Sequence, residues 1–504
     1  MKFTNPDYLP TPPGRLNLLG NRPVRDDGEF VVYWMTAARR TEWNFALQRA
    51  VDYAAELKRP LAVVEVLACG GRWDCDRFHQ FTLDGMADNA RRLARRAALY
   101  YPYVEAKPGE ARKLFWALAD RACLIVTDDY PIALPAVESV DPRAKTRIEA
   151  VDGNGLLPLR TADKAFSTAR AFRRFLQATL REYLFDAPRP DPLTGRRLPR
   201  MKSLPAEITA RWPAVETRRL SGHFDLADLP IDHRIRPVAV RGGAVAAYKA
   251  WQQFLKSKLA RYVEDRNQPE ADGSSGLSPY LHFGHISPHQ IVYELLAAEK
   301  WNPARLAERP TGRNEGWWGV GRGAEAFLDQ VITWRELGFN ACLRLPNYDA
   351  YDSLPEWARA TLAKHAGDER PEIYTIDELA AAATRDELWN AAQRQLLAEG
   401  RIHNYLRMLW GKKVLQWSAT SQQAWDALIE LNNRFALDGQ DPNSYTGIAW
   451  IFGRYDRPWG PQRPIFGHVR YMSSENTAKK LRVRRYMEET IRPTWSAAAI
   501  RVQG

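Results

Sequence analysis

Strand signal in this chain is confined to its first third, and that asymmetry constrains the fold more than any other feature. The short apolar runs FVVYWM (30–35), LAVVEVL (61–67), CLIVTDD (123–129) and RIEAVD (147–152) are separated by helical stretches near 43–58, 78–100 and 109–121. Strands alternating with helices predict parallel βαβ units in a doubly wound sheet. Crossover helices then cover both faces, which is why the strands read as unbroken apolar runs. Arg91, Arg92, Arg95 and Arg96 fall on the polar side of the second helical stretch.

After residue 152 the pattern changes. From 153 to 240 helical stretches are interrupted by proline-rich pieces such as APRPDPLTGRRLP (187–199), the mark of a connector laid over the surface. From 241 onward strand signals nearly vanish. Helices are predicted near 243–265, 287–299, 323–342, 354–366, 376–382, 386–398, 401–417 and 421–435. The expected architecture is an α/β N-terminal domain over 1–152, the connector over 153–240, and an all-α domain over 241–504.

Composition narrows the function. Lys and Arg number 72 against 60 Asp and Glu, a formal charge of +12. Such a surplus suits a polyanionic partner, with nucleic acid ahead of a membrane surface. No apolar run approaches the roughly 20 residues of a membrane helix. The opening MKFTNPDYLPTPPGR lacks the apolar core of a secretory signal, so a cytoplasmic protein is expected. The four cysteines, Cys69, Cys75, Cys123 and Cys342, form no CxxC pair and no zinc spacing, as in a reducing compartment. Tryptophan is the anomaly: thirteen of eighteen lie at or after Trp251. An indole is large and its N–H wants a partner. Such a density marks either aromatic cores or rings that stack on bases or carry electrons.

Several segments hold residues suited to chemistry. In RIHNYLRMLWGKKVLQW (401–417), Trp410 and Trp417 are seven apart. On a helix they project from nearly one face, about 10 Å apart along the axis, and spacing alone equally describes two core anchors. Ser274, Ser275, Gly276 and Ser278 precede a helical stretch, where hydroxyls and backbone N–H groups suit a phosphate. The polar, turn-rich segment 431–450 carries Asp438, Asp441 and Asn443 but not the ligand spacing of a calcium loop. Arg407 suits a buried carboxylate. The run AKKLRVRRY (478–486) is either a solvated helix face or a phosphate contact. GWWGVGRG (316–323) is glycine-rich but is no dinucleotide fingerprint, and HExxH, GxSxG and Walker A motifs are absent. No metal site is predicted.

Taken in order, SSGLSPYLHFGHIS, FLDQVITWRELGFN, DELWNAAQ, GRIHNYLRMLWGKKVLQW, ELNNRFALDGQDPNSYTGIAW and RPIFGHVRYMS resemble the class II cyclobutane pyrimidine dimer DNA photolyases of the photolyase/cryptochrome family. The resemblance covers most of 240–475 and extends more loosely over the N-terminal half. It implies an α/β domain followed by a helical domain holding FAD. It also implies that Tyr262, Arg266 and the stretch Ser274, Ser275, Gly276, Leu277 and Ser278 touch the phosphates and adenosine part. Arg407 and Asp438 would pair beside the isoalloxazine, and Asn432 would face its N5. Trp410, Trp389 and Trp417 would be the proximal, middle and surface members of an electron chain. Trp334 and Trp450 would line the lesion pocket, with Met408 and Gln330 beside them. Many members carry a glutamate at Gln330, and an amide can donate and accept there but transfers no proton readily. Trp334 replaces an arginine found in some members. A deazaflavin antenna is the family's usual second chromophore.

The implied activity is light-driven repair of pyrimidine dimers in DNA by electron transfer from excited reduced FAD to a flipped-out dimer. A monomer without an obligate protein partner is expected. The alternatives are a cryptochrome-type photoreceptor and a light-independent DNA-binding flavoprotein. The RYMS block ends near 474, leaving about 30 residues, so no long signalling tail is expected, which favours repair.

Overall fold

The computed structural model describes residues 10–132, 145–221 and 224–490. The first part of the segment read for a secretory signal (1–9) and the last part of the short tail (491–504) lie outside the described residues.

A six-stranded sheet organises the N-terminal part. Its strands are β1 (Leu16–Leu19), β2 (Phe30–Met35), β3 (Leu61–Leu67), β4 (Ala98–Val104), β5 (Ala122–Asp128) and β6 (Arg147–Val151), in the order β1-β6-β5-β2-β3-β4. All neighbours are parallel except β1, which runs antiparallel to β6. Helices α1 (Phe45–Glu56), α2 (Asp76–Leu93) and α3 (Glu110–Ala119) cross between strands. Period-two alternation splits β2 between the faces: Val31, Tyr33 and Met35 pack with α1, while Phe30, Val32 and Trp34 pack with α3. The doubly wound expectation therefore holds, with an antiparallel edge strand added.

Two local expectations fail here. The helical stretch over 78–100 ends at Leu93, and the chain re-enters the sheet as β4. Arg95 and Arg96 thus lie in the turn and not on the helix. The signal was weak because LARRAA contains no turn former, while the aromatics of ALYYPYV favour a strand. Pro102 is tolerated in β4 because this is an edge strand. The short β1, too brief to show a period, was not anticipated.

The stretch 153–240 does more than wrap a surface. Leu193 and Leu198 are buried on one face of the sheet, and Leu204, Ile208 and Trp212 on the other. Its helix α4 (Ala169–Tyr183) buries Phe172, Leu176 and Leu180 in the same core as Trp251, Phe327 and Trp389. The helical body therefore recruits a helix from before residue 241.

Beyond 241 the described residues are helical, without a strand. The stretch expected over 243–265 breaks into Ala244–Ser257 and a short Tyr262–Asp265. The one expected over 323–342 contains a π-helical turn, Asp329–Trp334, between Arg322–Leu328 and Arg335–Arg344. Pro442–Ile451, within the segment read as loop, is a helix; Asp441 caps it by accepting from Asn443 N, which is a capping role and not a ligand's. The AKKLRVRRY run is broken between Ser474–Lys480 and Arg484–Thr490. No described helix is long and apolar enough to cross a membrane. The four cysteines are buried and unpaired.

The two halves are joined by buried guanidinium groups. Arg77 of α2 donates to the carbonyls of Leu397 (2.6 Å), Leu396 (3.3 Å) and Phe435. Those carbonyls lie in the last turns of the Glu387–Glu399 and Ser421–Phe435 helices, where intrahelical donors run out; Leu396 O also accepts from Gly400 N at 2.9 Å. Arg15 donates to Gly155 O (3.0 Å) and Leu156 O (2.6 Å), and Arg40 to Gly284 O (3.0 Å). Burial pushes Arg77 and Arg40 down to about 10, which leaves both charged at neutral pH.

The π-turn is anchored from outside. Asp329 receives a bidentate pair from Arg173 of α4, at 2.6 and 3.0 Å, with both side chains nearly buried. A π-turn admits an extra residue into the helix, so such turns are unstable unless held, and they often mark functional sites.

Two outcomes are expected. Arg77→Met leaves the buried carbonyls of Leu397 and Phe435 without that donor, at about 1–3 kcal/mol each; urea unfolding should show a loss of at least about 2 kcal/mol. Asp329→Leu strands a buried guanidinium and should cost about 3–5 kcal/mol, with most of it recovered in the Asp329→Leu, Arg173→Met double variant; thermal unfolding of the three proteins checks this.

Candidate functional site

Three tryptophans from two helices form one continuous aromatic path. Trp389 sits in the first turn of the Glu387–Glu399 helix, which Asp386 caps by accepting from Trp389 N at 3.0 Å. Its ring slides between the two indoles of the Asn404–Trp417 helix. It lies parallel to Trp410 (centroids 6.4 Å, 5°) and edge-on to Trp417 (5.5 Å, 74°). Hydrogen bonds set the ring planes: Trp389 Nε1 donates to Trp410 O (2.9 Å), and Trp410 Nε1 to Gln393 Oε1 (2.9 Å).

Trp389, Trp410 and Trp417 are 0, 1 and 3 % exposed. Trp417 is therefore not the surface member it was expected to be. Half-buried Tyr374 stands edge-on to it at 5.2 Å and donates to Glu372 Oε2 (2.8 Å), and the Lys413 ammonium lies 5.2 Å from the Trp417 ring centre. Tyr374, whose N–H also donates to Trp417 O at 3.2 Å, covers that end of the helix, a contact that leaves no mark in a helical spacing.

A polar cradle lies nearby. Arg407 Nη2 meets Asp438 Oδ1 at 2.9 Å, both half-buried. Asn432 is buried near the end of the Ser421–Phe435 helix, with Nδ2 3.3 Å from Asn433 Oδ1. Tyr262 is wedged edge-on between Phe254 and Phe327, with the Arg266 guanidinium 5.6 Å above its ring. Among the described residues, Arg266 Nε and both ring nitrogens of His403 are buried without a hydrogen-bond partner. Burial pushes His403 down to about 4, so its imidazole is neutral at pH 7. Gly276 has φ +67°, a conformation that favours glycine, and the space where a Cβ would stand is open. Ser274 and Ser275 are half-buried around it, Ser278 is exposed and Leu277 is buried beneath. Buried polar groups left without a partner are places where a polar ligand can supply one.

A third group forms an aromatic face. Trp334, at the end of the π-turn, stacks on Trp450 of the Pro442–Ile451 helix with centroids 4.8 Å apart and planes at 15°. Both rings are half-buried, as are Gln330, one helical turn before Trp334, and Met408. The two indoles present a joint plate, with no space between them for a third ring.

Residues that the sequence reading did not single out complete the site. Trp459, 37 % exposed, lies between the guanidinium groups of Arg457 and Arg470, at 5.3 and 5.2 Å from its ring. RPWG (457–460) carried this signal as a proline-flanked aromatic in a basic stretch. His403 carries no such signal in the sequence, since only its unmet hydrogen bonds give it a place in the site. The Trp317 and Trp318 backbone N–H groups both donate to Glu325, and both indoles are buried, so GWWGVGRG is a structural loop.

No family model matches the chain. It is 34 % identical over 476 residues to a deoxyribodipyrimidine photo-lyase of Methanothermobacter thermautotrophicus, covering 94 % of this chain and 96 % of the relative. It is 32 % identical to one from Oryza sativa subsp. japonica (91 % and 86 % covered) and 30 % identical to one from Potorous tridactylus (93 % and 82 %). The fold matches a class III photolyase structure from Agrobacterium tumefaciens with a TM-score of 0.63, at 16 % identity over 92 % of this chain and 86 % of that one. On similarity across nearly its whole length, the chain belongs to the deoxyribodipyrimidine photolyases, the flavoprotein lyases of light-driven DNA repair.

Proposed function

We propose that this photolyase acts on cyclobutane pyrimidine dimers in duplex DNA, through FAD held between the cradle and the three-indole path, and that it is of the class II type. The observation that carries this reading is the joint presence of the Trp389 stack, the Arg407–Asp438 pair and the Trp334–Trp450 plate within one helical body. Bound there, reduced FAD supplies the photoexcited electron that opens the cyclobutane ring and takes it back.

The residues present suit that cofactor. Arg266 Nε and the His403 nitrogens lack partners, and an anionic diphosphate or a polar nucleoside supplies what they lack. The open space over Gly276 lets backbone approach such a group closely. Tyr262, Ser274, Ser275 and Ser278 border it, with Leu277 as the apolar floor. Arg407 balances charge beside Asp438, and Asn432 offers an uncharged amide to the ring. An antenna of the deazaflavin type remains part of the family expectation.

Within DNA the dimer is joined covalently to its neighbours, so it must leave the stack to reach a buried site; weakened pairing at the lesion lowers that cost. Arg457 and Arg470 grip phosphates, and Trp459 between them occupies the gap left in the duplex. The dimer then lies on the Trp334–Trp450 plate, with Met408 at its edge and Gln330 donating to a carbonyl. Trp417, Trp389 and Trp410, in that order, would carry electrons inward to a bound, oxidised cofactor. The protein acts as a monomer on this DNA.

Trp410→Phe should abolish photoreduction of oxidised FAD, followed by visible absorbance, and leave dimer repair by chemically pre-reduced protein nearly intact. Normal photoreduction in that variant would remove Trp410 from the path. Base–aromatic stacking is worth about 1–3 kcal/mol per base. Trp450→Ala should therefore weaken dimer binding roughly 10- to 100-fold, with FAD content and affinity for intact duplex preserved. Equal losses for damaged and intact DNA, measured by fluorescence anisotropy, would show Trp450 to be a packing residue.

A further inference from the structure

The helix that presents Trp450 ends one residue later, at Ile451. A helix terminus leaves its last carbonyls without internal partners, and the one at Ile451 accepts from Lys412 Nζ. Lys412 belongs to the Asn404–Trp417 helix, two residues past Trp410. It is 1 % exposed and, among the described residues, makes no ion pair within 4.0 Å. The preceding residue explains how the lysine reaches so far in: a Cβ on Gly411 would lie 2.0 Å from Ile451 Cδ1. The two helices therefore touch at a glycine, with the lysine beside the contact.

A buried ammonium without a carboxylate is expensive, and a methionine of the same length would cost less. Its environment is unequal. Asp456 favours the ammonium and Arg470 opposes it, both from the segment that follows the Trp450 helix. Lys413, next on its own helix, is turned to Asp386 at 3.1 Å, and Arg454 is bonded to Ser353 O. Burial pushes the Lys412 ammonium down to about 7. A cation is favoured at a helix C-terminus, so the charged form holds the Ile451 end more firmly than the neutral amine.

We propose that Lys412 is a positioning residue for dimer recognition: it pins the end of the Pro442–Ile451 helix so that Trp450 stays parallel to Trp334, and it does so most firmly as an ammonium. The proposal rests on the reading of Trp450 as a dimer contact. Arg470 also flanks Trp459.

The test uses FAD-loaded wild type, Lys412→Gln and Lys412→Met, titrated with dimer-containing and intact duplexes between about pH 6 and about pH 8.5, either side of the lysine's about 7. The ammonium is present below that value and lost above it. Wild-type affinity for the dimer should thus fall as pH rises, by roughly tenfold, equivalent to about 1.4 kcal/mol. Lys412→Gln, which keeps a neutral donor, should bind at every pH as wild type does at the alkaline end. Lys412→Met should bind the dimer more weakly still, with intact-duplex affinity, flavin content and photoreduction unchanged. A Lys412→Gln profile that follows the wild-type pH dependence overturns the proposal, and this holds even if Lys412→Met fails to fold. So does a Lys412→Met protein with a lower Tm but the wild-type ratio of dimer to intact affinity. Trp450→Ala, measured alongside, separates the two readings. Unchanged dimer affinity there sinks the pocket itself, whereas a loss there with a wild-type profile in Lys412→Gln overturns the lysine's role alone.

Discussion

A guanidinium taken out of water must be given back its hydrogen bonds, and in this protein that requirement joins the two halves. Arg77 leaves the α/β part to satisfy the ends of two helices in the helical part, Arg40 reaches the helical part at Gly284 O, and Arg15 holds the start of the connector at Gly155 O and Leu156 O. The helices Arg77 holds are those that bear Trp389 and Asn432. Their relative height, and with it the spacing of the indole path from the cradle, depends on one side chain contributed by the sheet domain. A charged clamp of this kind is directional: the guanidinium bonds only in its plane, so it sets position as well as proximity.

Tryptophan serves packing and chemistry at once in the helical body. Trp389 and Trp410 are as deeply buried as any core residue, yet their planes lie within 5° of each other and each indole N–H is bonded. Ordinary packing tolerates many ring angles, and bonded N–H groups select one. The same economy governs the aromatic face, where the π-turn brings Trp334 against Trp450 and Arg173 keeps that turn in place through Asp329. Between path and face, Gly411 lets the two supporting helices touch.

Local patterns made much of this legible. The runs at 30–35, 61–67, 123–129 and 147–152 became strands because β-branched and aromatic clusters have few other ways to be buried, and most of the later helices lie within a few residues of their periodic stretches. β1 was too short to show a period, and β4 followed a helix with no turn former between them. The Pro442–Ile451 helix was hidden by polar residues at its start, which are the cap and the first turn. The sequence offered Arg407 as partner for a carboxylate, the family resemblance implied Asp438, and the structure forms that pair.

What the chain determined by itself is the order of its elements, an α/β sheet followed by helices, together with the residue types available for stacking and for anion contact. Only the tertiary structure decided which of them meet. Trp410 and Trp417 share a helical face by spacing, but the ring between them comes from another helix, 21 residues before Trp410. Trp417 is buried where Tyr374 from another segment and Trp389 pack against it. The open polarity of the His403 ring and of Arg266 Nε exists only because neighbouring elements among the described residues bury those atoms without supplying a hydrogen bond. Periodicity records how a segment divides its own faces between water and core; it holds no record of what arrives from elsewhere in the chain, and in this protein the contacts that arrive from elsewhere make the site.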